Sequence, residues 1–228
     1  MIESDQAGLI CYLCRKPIDS GEKSSRDHVP FKKLFASPRP SNLITIPAHQ
    51  ECNASYSEDE EYFRDNVSML YVPDYDPVMP IADAAKRSLA RSPKKRKELI
   101  SRLAREVDLF TPGGIYIGRS AEFNLNKVKI DRVLIKIARG LQYHHTGILV
   151  EDSDEATVYF PNPKERAEGA LRAGRFRGSW PKYFSYIGLS EKGEEAAIWW
   201  LQFYEHHFGI VVFAGKSFTE TKKTGSAS

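Results

Sequence analysis

Cysteine is scarce in this chain: there are three, at positions 11, 14 and 52, and none follows. An odd, clustered set excludes a disulfide framework and points to another use of sulfur. No run approaches the roughly 18 apolar residues that a membrane-crossing helix needs. The opening MIESDQAGLI lacks the basic and apolar regions of a secretory signal, so a cytoplasmic location is expected. Internal repeats are missing, and low complexity is confined to the tail TKKTGSAS. Strong net charge is missing too: +3 with a pI near 8.6 is too mild to name a partner, which leaves the distribution of charge to do so. What is present is a globular balance, 41% hydrophobic against 28% charged, in a 228-residue chain long enough for two compact units.

The prolines of YVPDYDPVMP mark a boundary. The expected organisation is a first unit over residues 1–72, a mixed α and β region over 73–220 and a flexible tail over 221–228. In the second region Ser92 and Pro93 read as N-cap and first position of a helix. Its apolar face is Leu99, Leu103, Val107 and Phe110, and TPGG stops it. A further helix runs through DRVLIKIARGLQ, with Val133, Leu134, Ile137, Ala138 and Leu141 as its stripe and Arg132, Lys136 and Arg139 opposite. GGIYIG, TVYF and GIVVF read as strands. Between Lys86 and Arg105 nine Lys or Arg residues face a single Glu. Clustered cations bind phosphate backbone without needing base contacts, so Lys94, Lys95, Arg96, Lys97, Arg102 and Arg105 are the candidate nucleic-acid contacts. The competing reading is a solvated helix face. His144-His145 and His206-His207 have no ligand-spaced acid or thiol beside them, and Trp180, Trp199 and Trp200 read as core or interface.

Cys11-Tyr-Leu-Cys14 has the gap that turns two thiolates onto one ion, and His49-Gln-Glu-Cys52 repeats it after the spacer 15–48. Two such pairs suit tetrahedral Zn²⁺ in a structural role. A piece of about 60 residues is marginal alone, and zinc can contribute on the order of 10 kcal/mol to its folding. Everything between the pairs becomes a loop pinned at its base, and Asp27-His28 lies inside it.

The order Cys11-x-x-Cys14, Asp27-His28-Val29-Pro30, Asn42-Leu43-Ile44, His49-x-x-Cys52-Asn53 resembles the HNH, or ββα-metal, nucleases over residues 11–63. The resemblance implies an α+β chain with an N-terminal zinc-stabilised ββα motif and a mixed C-terminal region. It implies a metal-dependent endonuclease in which His28 is the general base, Asp27 and Asn53 hold a catalytic Mg²⁺ or Mn²⁺, and Asn42 braces the loop that aims His28. Hard oxygen donors and sulfur-rich clasps should sort two kinds of ion into separate sites. His49 stands where many members have cysteine, Tyr56 where a lysine is common, and Ser57 where some have a second metal histidine. Ser57 and Glu60 read as a capping box, with Glu58 and Asp59 in the first turn and Phe63, Val67 and Leu70 as the buried stripe. The expected partner is nucleic acid, DNA first, and a homodimer would let one site per copy cut both strands. The alternatives are a zinc-stabilised module that binds nucleic acid without cutting, and a zinc-scaffolded protein-interaction domain.

Overall fold

The computed structural model describes residues 9–69, 77–111, 113–151, 155–161, 174–190 and 196–215. The architecture is α+β. A two-stranded antiparallel hairpin, β1 (Ser24–Val29) and β2 (Ile44–His49), is followed by α1 (Gln50–Ala54) and α2 (Ser57–Met69). Helices α3 (Met79–Arg91) and α4 (Pro93–Ser101) lead to a second hairpin, β3 (Leu103–Phe110) and β4 (Tyr116–Phe123), then to α5 (Lys127–Thr146). Strands β5 (Glu155–Tyr159), β6 (Phe176–Trp180), β7 (Phe184–Leu189), β8 (Ala196–Phe203) and β9 (His207–Ala214) form an antiparallel sheet in the order β5-β9-β8-β7-β6. Burial alternates along β7, β8 and β9, as a sheet with one face on the core requires.

Helix α5 is the element on which both halves pack. Asn126 caps its start, its side chain accepting from the Lys129 N–H, and Gly147 ends it with φ +70°. On one side Leu134 lies against Gly209 of β9, and the buried Gln142 accepts from Trp199 Nε1 at 3.0 Å. On the other side Gly140 meets the first hairpin so closely that an added Cβ would stand 2.6 Å from Val29 Cγ2. A glycine inside a helix costs roughly 1 kcal/mol against alanine, and here it permits that approach.

The core runs without interruption across the expected boundary, from Cys11 and Phe63 to Phe203 and Phe213. Phe63 and Phe203 meet with ring centroids 4.8 Å apart, and Tyr204 Oη donates to the Leu34 carbonyl at 3.1 Å. Among the described residues no helix is long and apolar enough to cross a membrane.

Four expectations need correction. Ser92 does cap α4, but the helix ends at Ser101 and the run Leu103–Phe110 is strand β3. Of TPGG, the described residues Thr111, Gly113 and Gly114 lie in the turn of the β3–β4 hairpin, where Thr111 N–H donates to the Ile115 carbonyl, and do not stop a helix. Leu103, Val107 and Phe110 are spaced as one helical face, but in β3 Leu103 and Phe110 are exposed and form no buried stripe. Lys136, expected on the solvent side of α5, is buried. Glu60, expected to close a capping box, turns its carboxylate to Lys136 instead. Leu70 and residues 71–76 of the proline-rich connector 71–80 lie outside the described residues, and the connector's last two residues, Met79 and Pro80, begin α3.

Candidate metal cluster and cleft

Residues 9–18 form a tight knuckle. Cys11 N–H donates to the Lys16 carbonyl, Arg15 N–H donates to the Cys11 carbonyl, and Arg15 takes φ +62° to close the turn. The end of β2 and the start of α1 bring His49 and Cys52 to it. The ligand atoms of Cys11, Cys14, His49 and Cys52 all lie within 4.8 Å of one another and could hold a metal ion. Cys14 Sγ is 3.2 Å and Cys52 Sγ 3.9 Å from His49 Nδ1. Tetrahedral zinc, with bonds of about 2.3 Å to sulfur and 2.0–2.1 Å to nitrogen, sets ligand edges of about 3.5–3.8 Å, so the cluster fits it.

The support around this cluster was not anticipated. His49 Nε2 donates toward Glu22 Oε2 at 3.0 Å and the Pro17 carbonyl at 3.2 Å, which leaves the Nδ1 lone pair facing the thiols. The Asp19 N–H and the His49 ring hold the Glu22 carboxyl below the usual carboxylate range, so it stays ionised as an acceptor. Glu22→Ala is expected to weaken zinc affinity about 10- to 100-fold while leaving stoichiometry at one, as read by competition with a chromogenic chelator.

The strand β1 settles how adjacent residues share a site. In register with β2, Asp27 pairs with Ile46 and His28 with Thr45. Asp27 turns inward and is buried, and His28 is half-exposed on the opposite side. Both nonetheless line one cleft of about 330 Å³, because α1 and α2 close around the strand end; its other walls include Lys32, Lys33, Asn53 and Glu60. Burial, and then the charge of Lys32, hold the His28 imidazole below its ordinary pKa, so the neutral ring predominates at pH 7.

Asp27 and Asn53 do converge, together with Glu60, and the point on which they converge is the ammonium of Lys136. Its Nζ lies 2.9 Å from Asp27 Oδ2, 2.9 Å from Asn53 Oδ1 and 2.5 Å from Glu60 Oε1. Three acceptors match the three N–H donors of the group. The ring of Tyr56, the residue noted above as standing where a lysine is common, lies 5.1 Å from the same Nζ. Behind Asp27, the buried Tyr12 phenol donates to Oδ2 at 2.6 Å. Burial, and then the Asp27 charge, push that phenol well above its ordinary pKa and keep it a donor. Burial also raises the Glu60 carboxyl, with Lys136 opposing the rise. Three oxygens from two carboxylates and an amide are a donor set of the right chemistry for Mg²⁺ or Mn²⁺, but with the ammonium among them the cage does not fit a divalent ion.

The remaining site residues fall elsewhere. Asn42 does not brace the cleft by a side-chain bond to His28; its Oδ1 accepts from Trp180 Nε1 at 3.0 Å and ties the hairpin loop to the large sheet. Of the basic segment, Lys95 bonds Glu61, Asp65 and Ser88, Arg102 bonds Tyr62 and Asn66, and Arg105 bonds Glu122. Lys94, Arg96 and Lys97 remain exposed, Arg96 with a bond to the Ala90 carbonyl. The acidic start of α2 therefore docks helices: Asp59 and Glu60 of its first turn take Arg132 and Lys136, and Glu61 just after takes Lys95. A cavity of about 440 Å³ lies along this charged seam, where Lys95 already answers Glu61 and Asp65; we place no chemistry there.

Comparison of the chain with protein-family models, with curated proteins and with solved structures finds no match.

Proposed function

We propose that the protein is an endonuclease of the HNH type, hydrolysing phosphodiester bonds of nucleic acid, DNA first, with His28 as the general base. The observation that carries the reading is the cleft in which a neutral imidazole lies beside two exposed lysines, on a hairpin whose base the Cys11, Cys14, His49 and Cys52 cluster gathers. In this scheme Lys32 and Lys33 receive the phosphate. His28 takes a proton from water as its oxygen attacks phosphorus, the ester P–O bond breaks, and the leaving alkoxide takes a proton from solvent. A positioned imidazole contributes about 10² to 10⁴ in rate. Zinc in the cysteine-rich cluster would act in folding alone. No step is routed through a second divalent ion, because the oxygen cage does not fit one as folded. Asp27 and Asn53 then serve as anchors for the strand and helix that carry the cleft.

The ammonium in that cage also favours a second reading, a module that keeps the frame and binds nucleic acid without cutting. The zinc-loaded chain, incubated with duplex DNA, single-stranded DNA and RNA with and without Mg²⁺, separates the two. Hydrolysis is expected on at least one substrate. Salt-sensitive retention of all three uncut would select the binding module, and neither cutting nor retention would remove nucleic acid from the account.

A further inference from the structure

We infer that the Lys136 ammonium is the resident cation of this site, and that it shuts Mg²⁺ and Mn²⁺ out of the cage formed by Asp27, Asn53 and Glu60. Only 2% of the Lys136 side chain is exposed, so it is no surface lysine resting on a convenient acid. Its stem comes from the middle of α5, one helical turn before Gly140, where that helix touches β1. All three N–H donors have partners from three different elements: β1, α1 and α2. A divalent ion in the same cage would stand within a few ångströms of the ammonium, or require it to leave its three acceptors. Either course is unfavourable, since an unpaired buried charge is among the most costly arrangements a protein can hold.

Lys136 thereby acts as a positioning residue. It neutralises two carboxylates that would otherwise repel each other, and fixes the ends of β1, α1 and α2 around the cleft. It does not touch a phosphate in the cleft, being buried beneath it. The inference rests on the hydrolytic reading only in calling the cage a cation site; its test uses no nucleic acid, so the two fail separately.

The test is Mn²⁺ uptake by the full zinc-loaded chain, followed by loss of the free-ion electron paramagnetic resonance signal. The wild-type chain is expected to leave added Mn²⁺ free. Lys136→Ala is expected to take up one equivalent, at least about tenfold more tightly, and to gain thermal stability from it by mass action. Adding Asp27→Asn to that variant should abolish the uptake. A merely structural lysine would give no such gain. Should the alanine variant fold poorly without added ion, Lys136→Ala combined with Glu60→Gln, which removes one of the two uncompensated carboxylates and keeps an oxygen donor, repeats the measurement. One tightly held Mn²⁺ in the wild-type chain, lost in Asp27→Asn, would overturn the inference, as would variants that bind no better than wild type.

Discussion

Stripping metal from the Cys11–Cys14–His49–Cys52 cluster with a strong chelator is expected to unfold the whole chain, not its first sixty residues alone. Structural zinc contributes on the order of 10 kcal/mol to small domains, comparable to the entire stability of a typical protein. The reason the loss should spread is the continuous core. Phe63 of α2 packs on Phe203 of β8, Leu34 is bonded by Tyr204, and α5 is shared between the first hairpin and the large sheet. The chain's three tryptophans, Trp180, Trp199 and Trp200, all lie in that sheet and report on it, Trp180 through a direct bond to Asn42. Chelation should therefore change tryptophan fluorescence and far-ultraviolet circular dichroism together in one transition, reversed by zinc. Loss of secondary structure with unaltered tryptophan emission would mean that the two halves are energetically separate.

The second large effect is expected at Lys136. Lys136→Ala leaves Asp27 and Glu60 buried, converging and without their cation, a loss that typically costs about 3–5 kcal/mol. Lys136→Met should lose nearly as much, because the missing charge and not the missing stem decides the outcome. The pH dependence follows from the direction of the Glu60 shift. A carboxyl whose folded pKa lies above its unfolded value destabilises the fold above that pKa, and the penalty vanishes once pH falls below the unfolded value. Removing Lys136 raises Glu60 further, so the stability gap between wild type and variant should narrow as pH falls toward the ordinary carboxylate range. Denaturant unfolding at a series of pH values reads this directly. A constant gap would mean that packing dominates.

Much of the candidate site was legible where chemistry sits close in sequence. Cys11-x-x-Cys14 and His49-x-x-Cys52 declare a ligand cluster that could hold a metal ion, because a two-residue gap is itself the geometry of a knuckle, and Asp27-His28 stands out within the loop they close. Strands β5 and β9 and the stripe of α5 were legible for the same reason, since local period reflects local burial. The partners that reach across the chain were not. Lys136 lies far from Asp27 in sequence and sits among apolar residues as any solvent-facing lysine would, so periodicity placed it outside. Gly140, one turn later, was the available clue: an interior helical glycine marks a close approach, here to Val29. Glu58, Asp59 and Glu60 read as a helix start because an acidic first turn satisfies the helix dipole in any context. That Asp59 and Glu60 would instead take Arg132 and Lys136, and the next residue Glu61 take Lys95, depends on where α4 and α5 pack, which no local pattern states. For the same reason the basic segment read as a free cationic face, although Lys95 and Arg102 are spent on α2.

The most direct test of the account is the cleavage rate of zinc-loaded wild-type chain against His28→Ala on the same nucleic acid, measured across pH. The variant is expected to keep its zinc and fold but to lose about 10² to 10⁴ in rate. In the wild type the acid limb should lie below the ordinary imidazole pKa, because burial and Lys32 hold the His28 ring neutral to lower pH. Cleavage unchanged in His28→Ala, or no cleavage of any substrate by the wild type, would contradict it.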